Sequence, residues 1–183
     1  MYLINTRPNI CFTVNILSQF QLEPHHDHWI VAKHILRYLR GIIHHCLKYD
    51  GKEVKLTGFI DSDWRGSETD GKSTTDGCFS LGAAIISWMS RKQDPVALSS
   101  VEVEYVAACA VGKELIWLRK LLSDLFGKPL DPTIINCDNQ SNIKMSVDPI
   151  LHARTKHINN KYHYIIILVQ DGVVKLQYIP KDE

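Results

Sequence analysis

Asp61, Glu104 and Asp138 are the residues in this 183-residue chain whose types and placement suggest chemistry. Asp61 and Asp138 each follow a short apolar run that reads as a strand, and Glu104 stands near the start of a long helical pattern. Stepping along the helix face from Glu104 gives Ala108, Val111, Leu115, Leu118 and Leu122, so Glu104 heads the stripe expected to pack on a sheet. A carboxylate in that position is costly to bury unless a cation or donor meets it. Three acidic side chains brought to one crevice repel one another without a cation, and their hard oxygens favour Mg²⁺ or Mn²⁺. Two such ions roughly 4 Å apart activate water and stabilise the leaving oxygen of a phosphodiester, so the chemistry suggested is metal-dependent phosphodiester hydrolysis. Each residue also has a plainer use. Asp61 and Asp63 suit the start of a turn, Asp138-Asn139 suits a helix cap, and Glu104 suits a pair with an Arg. Asp63 shares strand parity with Asp61 but lies further into the turn. Glu102 is accounted for by a Ser99–Glu102 capping box.

The elements needed to position these groups are legible in order. Residues 10–20 and Asp27–Arg40 read as helices, the second stopped by Gly41. Ala32, Ile35, Leu36 and Leu39 form its apolar stripe, with Lys33, Arg37 and Arg40 on another face. Lys55–Ile60 reads as a strand, Arg65–Thr75 as a polar loop, Gly77–Ser90 as a second strand broken near Gly82, and Pro95–Leu98 as a short third strand. The long helix runs to Phe126 and stops at Gly127. Thr133–Cys137 is a buried strand, and a short helix starts near Asn139 and ends at Asp148-Pro149. His157–Gln170 is a further helix and Val173–Ile179 a last strand. Three meandering strands followed by parallel additions through helices predict an α/β fold with a mixed five-stranded sheet flanked by helices and an N-terminal helical arm. The first strand then lies beside the fourth, where lateral progress reverses and a crevice opens at the strand ends.

Bulk properties narrow the partners. The net charge of +1 predicts no general attraction to polyanions, which leaves local Lys and Arg clusters to do that work. Five singly placed cysteines without a CxxC pair read as free thiols of a reducing compartment. His25, His26 and His28, like His44 and His45, cluster without zinc-site spacing and read as surface residues. No segment reads as a signal peptide or as a membrane span.

Seven segments, taken in order, resemble a known family. They are Gly58-Phe59-Ile60-Asp61-Ser62-Asp63-Trp64, residues 72–77, residues 84–88, residues 97–105, Ile116-Trp117-Leu118-Arg119, Cys137-Asp138-Asn139-Gln140 and residues 154–158. Together they resemble the ribonuclease H domain of Ty1/copia-type LTR retrotransposon Pol polyproteins. Residues 5–11 and 28–41 resemble the stretch joining reverse transcriptase to that domain. The resemblance implies a ribonuclease H-like fold. It also implies endonucleolytic hydrolysis of the RNA strand of RNA–DNA hybrids during reverse transcription, by two-metal-ion cleavage. Asp61, Glu104 and Asp138 would be both catalytic and metal-binding, with Asp61 shared between two Mg²⁺ (or Mn²⁺) ions. Hybrid recognition would rest on 2′-hydroxyls and groove width, with Lys72, Arg154, Lys156 and Lys161 as phosphate contacts.

The resemblance further divides the chain into residues 1–50, a helical connection segment from the end of reverse transcriptase, and residues 51–183, a ribonuclease H-like domain. The chain stops at Lys181-Asp182-Glu183. The expectation is that it is truncated before the last helix, where the family carries a fourth carboxylate, and that it cleaves weakly or not at all by itself. The Tyr-x-Asp-Asp polymerase turn is absent. The implied partners are the hybrid and the reverse transcriptase portion of the same polyprotein, with no membrane. The implied location is the cytoplasm, or a virus-like particle for an intact element. The alternative is a degenerate or repurposed fragment acting as a non-catalytic nucleic-acid or protein-binding module.

Overall fold

A computed structural model describes residues 2–49, 55–67, 70–140, 143–144 and 164–180. Its elements are α1 (Tyr2–Thr6), a 3₁₀ turn (Pro8–Ile10), α2 (Cys11–Ser18), α3 (His26–Gly41), β1 (Leu56–Asp63), β2 (Thr74–Leu81), β3 (Ala84–Lys92), α4 (Ser100–Phe126), β4 (Thr133–Cys137), α5 (Tyr164–Gln170) and β5 (Val174–Tyr178). The five strands form one sheet in the order β3-β2-β1-β4-β5. β1, β2 and β3 are antiparallel neighbours, while β4 runs parallel to both β1 and β5. This is the predicted mixed sheet with its reversal between β1 and β4.

Three strand assignments differ from the sequence reading. The break at Gly82 is a complete hairpin turn. Leu81 pairs with Ala84, and Gly82 adopts φ +61°, a left-handed conformation that suits glycine, so Gly77–Ser90 is parts of two strands. Pro95–Leu98 is no strand. With β3 already filling the edge, this segment is free to lead the chain over to α4, and Pro95 has no N–H for a ladder. β1 also continues past Ile60 to Asp63, because residues Asp61–Asp63 still pair with Thr74–Asp76 of β2. Asp61 therefore lies inside a strand rather than at its end.

β-strand parity sorts the two faces of the sheet. Leu56, Gly58 and Ile60 face α4, as do their partners Leu81, Phe79 and Gly77. At Gly77 the helix comes so close that a Cβ would sit 2.7 Å from Val111 Cγ2. The stripe Ala108, Val111, Leu115, Leu118 and Leu122 is buried in the main core with Phe79, Ile135, Ile165 and Val174. α5 packs on the same helix, with Leu168 and Ile165 against Gly112. The opposite face of β2 and β3 is covered by the N-terminal arm. Trp88 Nε1 donates to the Ile4 carbonyl at 2.8 Å, the Asn15 amide donates to the Ser90 carbonyl, and Lys92 Nζ donates to Gln19 Oε1 at 2.9 Å.

Helix ends mostly follow the sequence signals. Ser99 Oγ accepts from Glu102 N at 3.3 Å, and Gly127 closes α4 in the left-handed conformation with φ +65°. The Glu102 carboxylate accepts from Leu98 N at 2.8 Å rather than from Ser99 N, so the box is shifted by one residue. Gly41 is the last residue of α3, with Ile42 as its cap, so it does not act as a C′ stop. α3 buries no residue, and Leu36 of its expected apolar stripe is 61% exposed. Its N-terminus is capped by His25 and His28, which exchange side-chain bonds with each other's backbone. The first predicted helix begins with the 3₁₀ turn Pro8–Ile10, since Pro8 favours the opening of a helical turn. The short helix after Asn139 is seen at residues 140 and 143–144, and its expected end at Asp148-Pro149 lies outside the described residues. So does the first half of the helix expected from His157 to Gln170. All five cysteines are free; Cys11, Cys109 and Cys137 are buried and Cys46 is exposed.

Candidate metal centre

The strand register brings the two aspartates together. β1 and β4 pair Thr57 with Ile134, Gly58 with Ile135 and Phe59 with Asn136. Asp61 and Asp138 each lie two residues beyond the last of these pairs. Parallel partners point the same way, so both carboxylates leave the sheet at one rim. The same rim receives α4. β3 runs parallel to β1 and ends at Lys92, and seven residues later Ser99 caps the helix that returns beneath the sheet. Glu104 is thereby in the helix's opening turns, at the end of the sheet where β1 and β4 finish.

One carboxylate oxygen from each of Asp61, Glu104 and Asp138 lies within 4.8 Å of the others. The three differ in setting: Asp61 is exposed, Asp138 half-buried and Glu104 only 6% exposed. The Asp61 carboxylate accepts a bond from Ser62 N at 2.9 Å. Beside Asp138, the Cys137 thiol donates to the Asn139 carbonyl at 3.9 Å and so links the two sides of the turn. The Cys137 thiol is pushed up to about 11, first by burial and then by the charges of Glu104 and Asp138, against the pull of the Asn139 carbonyl. A donor set of three carboxylate oxygens, without sulfur or imidazole, fits a hard divalent cation such as Mg²⁺ or Mn²⁺ better than zinc. No other group of three or more His, Cys, Asp or Glu side chains with metal-binding geometry occurs among the described residues, so the histidine clusters form no such site there.

The remaining predicted positions separate. Asp63 is not part of the cluster, and its carboxylate lies against Gly66. Lys72 stands in the turn just ahead of β2, at the same end of the sheet as the cluster. Arg154, Lys156 and Lys161 lie outside the described residues.

One nearby acid was missed by the sequence reading. Asp76 is the β2 partner of Asp61 and the β3 partner of Ser90. Its carboxyl is raised above the ordinary range, chiefly by burial and further by Asp61 and Asp63, while the neighbouring Ser90 hydroxyl pulls the other way. A ten-residue connection, 64–73, joins β1 to β2, so no tight turn fixed their register in the sequence.

A mixed sheet in this order, with a carboxylate from α4 meeting one from β1 and one just beyond β4, defines a domain of the ribonuclease H-like class. No family model matches the chain. Over 181 residues it is 41% identical to the retrovirus-related Pol polyprotein from transposon TNT 1-94 of Nicotiana tabacum, covering 99% of this chain and 14% of that protein. Over 179 residues it is 37% identical to the corresponding polyprotein from transposon RE2 of Arabidopsis thaliana, covering 97% of this chain and 12% of that protein. Among solved structures, RNase H1 from the halophilic archaeon Halobacterium salinarum NRC-1 aligns with a TM-score of 0.43 at 12% identity. That alignment covers 70% of this chain and 87% of the other. The chain belongs to the Pol polyproteins of copia-type retrotransposons, and it spans only about an eighth of the length of these relatives. No helix among the described residues is long and apolar enough to cross a membrane.

Proposed function

We propose that this chain is the ribonuclease H part of a retrotransposon Pol polyprotein and hydrolyses the RNA strand of RNA–DNA hybrids. The observation that carries the reading is the approach of Asp61, Glu104 and Asp138 to within 4.8 Å at one rim of the sheet. Bound Mg²⁺ or Mn²⁺ ions, two in the full mechanism, supply Lewis acidity to the phosphodiester and acidity to water. Asp61, the exposed member, would be the carboxylate open to substrate and would help hold the ions there. Glu104, held by a buried helix face, fixes the deep side of the cluster, and Asp138 closes it from β4. Mounting on β1, just beyond β4 and on α4 brings the three donors together. Lys72 at the same end of the sheet, with Arg154, Lys156 and Lys161, would contact phosphates. Hybrid selection would then come from duplex shape and 2′-hydroxyls rather than from base edges. Residues 1–50 serve as the connection from the polymerase portion, which is the expected protein partner.

The test is cleavage of an end-labelled RNA annealed to DNA, with Mn²⁺ or Mg²⁺ supplied. The expected result is RNA cleavage that chelator abolishes and that Asp61→Asn, Glu104→Gln and Asp138→Asn each strongly reduce. If metal binding survives but no hybrid is cut, the non-catalytic binding module is the better description.

A further inference from the structure

The charge around the candidate metal centre does not end with its three carboxylates. β1 and β2 pair in a register that sets Asp61 directly opposite Asp76. Antiparallel partners share a face of the sheet, with Cβ atoms about 4.5–5.5 Å apart, and like charges so placed repel. No Lys or Arg relieves them along that row, since the next partner, across β2, is Ser90.

Both carboxylates line one cavity of about 450 Å³ between the N-terminal arm and the sheet. Much of the remaining wall is apolar, from Phe12, Phe59 and Trp88. Charges beside such a wall are screened less than charges in open water. The arm itself is tied to this row, because the Asn15 amide donates to the Ser90 carbonyl. Two like charges on adjacent strands, with a cation-binding cluster at their outer end, make sense as one electrostatic unit. The cost of their repulsion falls when a divalent ion is present.

We propose that Asp76 is a positioning residue of the cation site, acting through Asp61. It adds a fourth negative charge to the field that draws the ion. By repelling the Asp61 carboxylate along their shared face, it also holds that carboxylate toward β4 and Asp138. The inference rests on the reading above that the cluster binds divalent cations, and it adds a residue to that site.

The experiment titrates the whole chain with Mn²⁺ and follows the free-ion signal by electron paramagnetic resonance, so that no activity is needed. Asp76→Asn is expected to weaken Mn²⁺ binding about threefold to tenfold, the effect of one partly screened charge. Asp76→Ser, which is smaller and neutral, should show the same loss and so covers the case in which Asn packs poorly. Asp76→Glu restores the charge and should recover affinity to within about twofold. In the absence of metal, Asp76→Asn should be at least as resistant to urea as the parent, because a repulsion has been removed. If Asp61→Asn weakens binding while both neutral Asp76 variants bind like the parent, Asp76 is only a packing residue and the inference is overturned with the cation site intact. If the parent shows no binding that Asp61→Asn removes, the cation site fails and takes the inference with it.

Discussion

Replacing Gly77 by Ala tests how closely α4 is seated on the sheet. A Cβ at this position would lie 2.7 Å from Val111 Cγ2 and 3.3 Å from Met89 Cγ. An ordinary carbon–carbon contact is about 3.5–4.0 Å, so roughly 1 Å of overlap has to be relieved. Val111 is fully buried on a helix that packs along its whole inner face, and it has no open side to move into. Overpacking of this kind costs about 1–3 kcal/mol. For a chain of this size that corresponds to a fall in Tm of roughly 2–12 °C. Relief by sliding α4 outward would also carry Glu104 away from Asp61, so Mn²⁺ affinity should fall along with stability. Urea denaturation and Mn²⁺ titration of Gly77→Ala check both effects. Adding Val111→Ala should then cost at least about 1 kcal/mol less than the sum of the two single changes, because the smaller side chain removes the clash. A neutral Gly77→Ala, or strict additivity in the double variant, would refute the close seating of α4 on β2.

Ser99→Ala should lower stability by about 0.5–2 kcal/mol in urea unfolding, since Ser99 Oγ caps α4 through Glu102 N. Arg119→Lys should cost about 1–3 kcal/mol by the same measurement. The guanidinium donates to the carbonyls of Leu130 and Asp131 and to Thr133 Oγ1, a fork that an ammonium cannot reproduce. Iodoacetamide at neutral pH should label exposed Cys46 well before Cys109 or Cys137, as read by mass spectrometry. Burial pushes the Cys109 thiol up to about 12 and the Cys137 thiol up to about 11, both above the 9.0 of a free thiol. Between those values the folded chain keeps protons that the unfolded chain releases. The stabilisation is therefore complete below about pH 9 and declines as pH rises through 11, by at most about 1.4 kcal/mol per pH unit per thiol. Urea midpoints measured from pH 8 to 11 should fall accordingly.

The long helix and its buried stripe were readable because a period of 3.6 over 27 residues leaves little choice of face. That stripe also assigns Glu104 to the inside. Thr133–Cys137 was readable as a short Ile-rich run between turn residues, and its parallel pairing with β1 followed from the intervening helix. The β2–β3 region was harder. Gly82 looks the same whether it breaks one strand or turns a hairpin, and the Leu81↔Ala84 pairing that decides between them is a tertiary fact. α3 misled for a related reason. Its apolar residues recur at helical spacing, yet the helix buries none of them, and Leu36 faces outward. Asp76 was invisible as part of the site because its position opposite Asp61 depends on register across a long connection.

The central claim is that Asp61, Glu104 and Asp138 jointly hold divalent cations. Crystals of the chain soaked in Mn²⁺ and measured for anomalous scattering test it most directly. The expected result is at least one strong peak directly coordinated by carboxylate oxygens of all three residues, and its loss in Asp138→Asn crystals. Clear density for the three side chains with no anomalous peak between them, or peaks confined to other surface acids, would contradict it.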